Sequence, residues 1–252
     1  MKLYADLHTH SIASGHAYAT IEEMARSASL KGIEYLGITD HGPSLTAAPN
    51  ELYFKCALLC PPEICGVNVV FGCEANIIDY DGTIDLEEDT QRRLDILLVG
   101  FHNYTPYIAG SEKQNTSALL NALKRHKYID VIAHPGNPAF KINYEEVIKC
   151  LNDYNVIIEI NNRSFLPDQL SARKGSSSNC REVMRLCEKY NVRVSVSSDA
   201  HNQYQIGCFK YALEALESEG FPEKLILNAD KQALSGYLNF IHSDKIPKEV
   251  LS

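Results

Sequence analysis

Leu3-Tyr4-Ala5-Asp6-Leu7-His8-Thr9-His10 sets the reading of this chain: a short apolar run suited to a strand leads straight into two histidines. The pattern recurs. Glu34–Thr39 leads to Asp40-His41, Asn68–Cys73 to Glu74, Leu94–Gly100 to His102, Ile129–Ala133 to His134, and Val192–Ser197 to Ser198-Asp199-Ala200-His201. One further run, Val156–Ile160, leads to Asn161-Asn162. Several of these runs are continuously apolar, as expected of parallel strands buried on both faces.

Helical stretches separate most of them. Thr20-Ile21-Glu22-Glu23 reads as a capping box opening a helix that ends near Gly32, and Asn143 with Glu146 opens another that runs to about Asn155. Ser117–Lys127, Asn179–Tyr190 and Tyr204–Glu219 carry helical periodicity. Pro43 to Val67 reads as a loop followed by a short Cys-rich helix, Thr105 to Asn115 as a polar loop, and Asn162 to Ser178 as a long one suited to contact with substrate. Strand followed by helix, repeated about seven times, predicts a parallel α/β barrel or a doubly wound sheet. No linker, repeat or shift of composition divides residues 1–252, so one domain is expected.

Parallel strands present their C-terminal ends on one face, so the residues that follow them converge on one cleft. Those residues are His8, His10, His16, His41, Glu74, His102, His134, Asp199 and His201. Without a metal, so many imidazoles would compete for few hydrogen-bond partners, whereas neutral imidazole and carboxylate are ligands of zinc, manganese and iron. The set exceeds what one ion needs and suits two or three. His-x-His spacing turns both rings the same way, and Asp199 and His201 repeat it. Asp6 and Asp40 are expected to orient the rings. His126, inside Leu123-Lys124-Arg125-His126-Lys127-Tyr128, and His242 read as solvated.

Composition narrows the class. The chain has 252 residues, 24 Lys+Arg against 32 Asp+Glu, and a formal charge of −8, a poor footprint for a nucleic-acid track. No apolar run is long enough for a membrane span, and the stretch from Met1 to His10 reads as lacking a secretory h-region. The eight cysteines show no CxxC and no disulfide framework, so they read as buried free thiols of a cytoplasmic protein.

Asp6-Leu7-His8-Thr9-His10, Ile38-Thr39-Asp40-His41-Gly42, Gly72-Cys73-Glu74-Ala75-Asn76, His134-Pro135-Gly136-Asn137-Pro138 and Ser198-Asp199-Ala200-His201 together resemble the motifs of the polymerase and histidinol phosphatase (PHP) superfamily. His16-Ala17-Tyr18, Glu159-Ile160-Asn161-Asn162 and Arg173-Lys174-Gly175-Ser176 extend the likeness to its YcdX-like phosphatase branch. The resemblance implies a distorted (β/α)7 barrel with three divalent ions, zinc first and manganese or iron as alternatives. Carried over by position, His8, His10, Glu74 and Asp199 would hold one ion. Glu74 would bridge to a second held by His102 and His134, and His16, His41 and His201 would hold the third. Arg163 departs from the small polar residue expected after Asn161-Asn162.

The expected activity is metal-dependent hydrolysis of a small phosphate monoester, with a metal-bound hydroxide attacking phosphorus. No protein nucleophile stands out; Arg173 and Lys174 are candidates for gripping phosphate. The expected partner is a small phosphorylated metabolite, with no membrane and self-association left open. Two alternatives are a PHP-type nuclease acting on nucleic-acid ends and a non-catalytic, metal-stabilised scaffold. The overall charge does not oppose an anionic substrate: three divalent ions give −8 + 6 = −2 for the chain, and +6 − 2 = +4 beside Glu74 and Asp199.

Overall fold

A computed structural model describes residues 1–167 and 173–243, His242 by its backbone alone. Seven parallel strands follow one another in the order β1 (Ala5–Asp6), β2 (Tyr35–Ile38), β4 (Val67–Asn76), β5 (Ile96–Gly100), β6 (Val131–Ile132), β7 (Ile157–Asn161) and β8 (Val194–Ser197). A short β3 (Glu63–Ile64) folds back antiparallel on β4 through Cys65 and Gly66, both at positive φ. The expected barrel, with its strands trimmed by a residue or two at most ends, is what forms.

Closure between β8 and β1 is not a strand ladder. Asn228, fully buried, fills the gap: its amide donates to Ala5 O and Val196 O, each at 2.8 Å, and accepts from Val196 N–H at 3.0 Å. Higher up, Ser198 N–H donates to Asp6 Oδ1 at 3.0 Å, Asp199 N–H to His8 O at 3.0 Å and His10 N–H to Ala200 O at 2.8 Å. A side-chain amide low in the seam, and a carboxylate with two main-chain bonds above it, thus take the place of a continuous ladder, leaving a nearly closed barrel whose seam runs into the cleft.

Strand periodicity sorts the interior. Val70, Ile96, Leu98, Val131, Ala133 and Ile157 form one apolar cluster with Leu234, Leu238 and Ile241 of α8 (Lys231–His242), so α8 packs against the residues inside the barrel. Continuing along the same strands at intervals of two, Val70 is followed by Gly72 and Glu74, and Ile157 by Glu159 and Asn161. Apolar packing therefore fills one end of the barrel and polar side chains the other. The larger cluster joins the other strand face to the helices, including Met24 and Ala28 of α1 (Ile21–Leu30), Phe54 of α2 (Glu51–Lys55), Leu119 of α4 (Glu112–Arg125), Ile148 of α5 (Tyr144–Tyr154) and Met184 of α6 (Ser176–Tyr190), while α3 (Glu88–Gln91) is a single turn before β5.

Several sequence boundaries change. The predicted capping box of α1 is present at Thr20 and Glu23. A second, Ser111 with Gln114, starts α4 inside the stretch read as a polar loop. The Asn162–Ser178 loop begins with a 3₁₀ turn (Asn162–Phe165) and yields to α6 at Ser176; its residues 168–172 lie outside the described residues. The helix read from Tyr204 begins at Lys210 (α7, Lys210–Glu219), and α8 was not anticipated. Among the described residues no disulfide forms and no helix is long and apolar enough to cross a membrane. Cys73, Cys180 and Cys187 are buried, but Cys56, Cys65 and Cys208 are exposed, correcting the expectation of uniformly buried thiols.

Candidate metal centre

His8 and His10 follow β1 directly and are fully buried, with their Nε2 atoms 3.1 Å apart. His8 is fixed from behind. Its Nδ1 lies 2.7 Å from Glu159 Oε1, and because an ionised carboxylate only accepts, the ring donates there and leaves Nε2 facing the cleft. Glu159 Oε2 accepts from the His134 N–H at 2.6 Å and from Asn161 Nδ2 at 3.0 Å, so one buried carboxylate aligns two strand ends.

Glu74 is the centre of the cluster. Its Oε1 lies 2.6 Å from His134 Nε2 and 3.0 Å from His102 Nε2. Its Oε2 lies 2.9 Å from His41 Nδ1, 3.2 Å from His8 Nε2 and 3.5 Å from His10 Nε2, yet no hydrogen bond of acceptable direction reaches that oxygen. Asp199 Oδ1 lies 3.4 Å from His10 Nε2, and Asp199 Oδ2 accepts from Arg173 Nη2 at 3.0 Å and from Asn161 Nδ2 at 3.1 Å. His16 Nε2 and His201 Nε2 are 3.1 Å apart at the more exposed side, and the His41 ring lies 5.0 Å from that of His16. All nine side chains named from sequence are therefore brought together.

Two of them sit on unusual backbone. His134 at φ 30° and Asp199 at φ 54° are non-glycine residues in the left-handed region, a costly conformation in which each turns just after its strand ends. Gly100 leaves room for two of the rings, since a Cβ there would press on His134 Cε1 at 3.1 Å and His102 Cε1 at 3.3 Å.

Electrostatics favour ionised carboxylates and mostly neutral rings. Burial alone would raise Glu74, but the surrounding imidazoles, His8 foremost, hold it well below the usual carboxylate range. Asp199 is likewise held well below that range against its burial, chiefly by Arg173 and Arg163. Burial pushes His134 and His201 down to about 4, and lowers His10 and His16 too. His8 goes the other way: burial would lower it, but Glu159, Glu74 and Asp199 outweigh that and raise it well above its ordinary value.

Some expectations need correcting. Asp6 touches no imidazole nitrogen among its hydrogen bonds; it accepts from Ser198 N–H and Oγ and from Gly207 N–H, holding the β1–β8 seam. Asp40 accepts from Ser11 N–H, from the hydroxyls of Ser11 and Ser14, and from Tyr53 OH, so it orients His10 only through Ser14, whose Oγ is 3.3 Å from His10 Nδ1. His126 is not solvated: it is half-buried, with Nδ1 3.3 Å from Gln91 Nε2. The His242 side chain lies outside the described residues. Arg173 reaches the cluster, whereas Lys174 is exposed in the adjoining turn. The direct orienting residue, Glu159, was missed as such; its signal was an acid inside the apolar run Ile157-Ile158-Glu159-Ile160.

The donor set fits a metal group. Imidazole nitrogens and carboxylate oxygens lie within 4.8 Å of one another in three overlapping triads: His8, His10 and Glu74; His41, Glu74 and His102; His10, His41 and His201. Ring nitrogens crowd a buried oxygen with no usable hydrogen-bond direction, a geometry that suits a shared cation better than pairing among the rings.

Comparison with known proteins agrees with this geometry. The PHP domain profile matches residues 6–163. A probable phosphatase of Clostridium novyi is 44% identical over 240 residues, covering 94% of this chain and 95% of its own length. A probable phosphatase of Acetivibrio thermocellus is 42% identical over 238 residues, covering 94% and 96%. Among solved structures, the histidinol phosphate phosphatase of Lactococcus lactis, complexed with zinc, L-histidinol and phosphate, superposes with TM-score 0.60 at 13% identity, covering 87% of this chain and 94% of that one. That likeness bears on the fold; the near full-length relatives and the profile bear on descent, and the chain belongs to the PHP family.

Proposed function

We propose that this phosphatase of the PHP family cleaves small phosphate monoesters with three divalent ions, zinc, manganese or iron, in the cleft described above. The observation that carries the reading is Glu74. It is a fully buried, ionised carboxylate with five imidazoles within 3.5 Å, and its Oε2 lacks a hydrogen bond. His8, His10, Glu74 and Asp199 would hold one ion, Glu74 with His102 and His134 a second, and His16, His41 and His201 a third. When bound, such ions supply positive charge for the phosphoryl oxygens and a water made nucleophilic near neutral pH.

The chain's own residues prepare that chemistry. Glu159 keeps the His8 proton on Nδ1 and so leaves Nε2 free as a ligand. Its hold on the His134 N–H keeps that residue in its left-handed turn. The buried carboxylates hold His8 well above its ordinary value, and a cation would answer the same negative charge. Arg173, 3.0 Å from Asp199 Oδ2, carries a planar fork suited to phosphoryl oxygens, and Lys174 adds a second charge in the next position. The zinc, L-histidinol and phosphate in the Lactococcus lactis structure support a small phosphorylated metabolite as the substrate class.

Hydrolysis of p-nitrophenyl phosphate by metal-loaded protein tests the reading. His10→Ala and Asp199→Ala should each lose at least about two orders of magnitude in kcat/KM, the scale on which metal ligands and charge-stabilising groups act. Full turnover in either variant would overturn it.

A further inference from the structure

Arg163 lies in the 3₁₀ turn after β7, where its backbone N–H donates to Asn161 Oδ1 at 2.9 Å. Its side chain is 36% exposed, so the guanidinium has room to move. In this structure Nη1 lies 2.9 Å from His201 Nδ1, 3.4 Å from Asp199 O and 3.5 Å from Asp199 Oδ1.

A guanidinium only donates. With Nη1–H directed at His201, Nδ1 is the acceptor and the neutral ring carries its one proton on Nε2. That Nε2 is the nitrogen facing His16 Nε2 at 3.1 Å, the side on which a cation would be held. A cation bound there needs the Nε2 lone pair, so the ring proton must reside on Nδ1, where Asp199 O stands 3.0 Å away to accept it. Nδ1–H and Nη1–H would then confront each other across 2.9 Å. The two arrangements exclude one another, and the exchange between them gains and loses no net proton.

We propose that Arg163 is a latch on the outermost imidazole pocket: it rests on His201 while that pocket lacks its cation, and loading releases its guanidinium to the phosphoryl oxygens of the substrate. The inference rests on the assignment of His16, His41 and His201 as ligands given above. It makes Arg163 a specificity-determining residue for phosphate monoesters. Arg173 already grips Asp199 Oδ2, so a bound phosphoryl group would meet guanidinium forks from two separate segments, the 3₁₀ turn and the turn before α6.

Arg163→Met keeps the length and removes charge and donors; Arg163→Lys keeps the charge but not the fork. Chelator-competition titration with zinc alone, with elemental analysis of bound metal, reads the latch without any substrate. Arg163→Met should bind the weakest of three ions about tenfold more tightly than the unmodified protein, the scale of outer-contact effects on metal affinity. Arg163→Lys should fall between. With p-nitrophenyl phosphate the loss should fall mainly on KM, about tenfold in Arg163→Met for a lost charge-assisted contact. Zinc affinities unchanged in Arg163→Met would overturn the latch even if the protein remains an active three-ion enzyme. Fewer than three ions in the unmodified protein, or no turnover of any ester, would overturn the underlying reading of the site instead.

Discussion

Replacing Glu159 by glutamine keeps the side chain's shape and removes its charge. The structure predicts a frustrated amide. If the amide oxygen accepts from His8 Nδ1–H, the NH2 group faces the His134 N–H and the Asn161 amide, two donors at 2.6 and 3.0 Å from the present Oε2. If it turns round, its NH2 group faces His8 Nδ1 at the present 2.7 Å, and the His8 proton moves to the nitrogen that a cation needs. Neither orientation restores both strand ends. Loss of such an orienting carboxylate costs about ten- to a hundredfold in metal affinity, or roughly 1.4–2.7 kcal/mol. Competition between Glu159→Gln and a chromophoric zinc chelator reads this directly, and the loss should extend to the ion shared with His134. Affinity within twofold of the unmodified protein would refute the orienting role of Glu159.

Asn228→Ala tests the seam. Its amide serves three backbone groups of β1 and β8, and leaving them unpaired in a buried site should cost about 3 kcal/mol or more in urea unfolding of the chelated protein; a cost below about 1 kcal/mol would show that β1 and β8 pair without it. Acid should destabilise the metal-stripped protein. His134 and His201 are held near 4 against an ordinary 6.5, so their contribution is complete above 6.5 and lost as pH falls through 4, at up to about 1.4 kcal/mol per histidine per pH unit. His8, raised, contributes stability that is complete below 6.5 and fades only at higher pH, so it does not offset that loss; Asp6, raised by burial to about 6, takes up a proton in the folded state over the same range and offsets about one histidine of the two. A urea midpoint that holds constant or rises from pH 6 to pH 4 would contradict this.

Six of the seven strand ends were legible because the chain changes character abruptly there: an apolar run suited to a buried strand stops at a His, Asp or Glu, and parallel topology gathers those stops on one face. His16 was reachable by the same logic, as a residue carried by the loop after β1. What escaped reading depends on contacts distant in sequence. Glu159 reads as one acid in an apolar strand, and only the register of β7 beside β6 and β8 brings it to His8, 151 residues away. Asp40 stands next to His41 and Asp6 two before His8, yet the side chains they serve come from other segments: Ser198 for Asp6, and Ser11, Ser14 and Tyr53 for Asp40. Asn228 lies in Ile226-Leu227-Asn228-Ala229 with no local hint that a barrel needs a plug there. Helix α8 contains Gly236 and begins on a lone Asp230 cap, and its apolar face has meaning only against the barrel's filled end. The local charge also changes once the contacts are known: Arg163 and Arg173 add two positive charges beside Asp199, and Glu159 one negative, to an estimate that counted only Glu74 and Asp199.

Counting the divalent ions held per chain tests the central claim most directly. The protein is dialysed against metal-free buffer, its metal content is measured by elemental analysis, and p-nitrophenyl phosphate turnover is followed on the same preparation as a chelator withdraws the ions. The cluster around Glu74 predicts three ions per chain and turnover that falls with their removal. Full turnover by protein from which every ion has been stripped would contradict it.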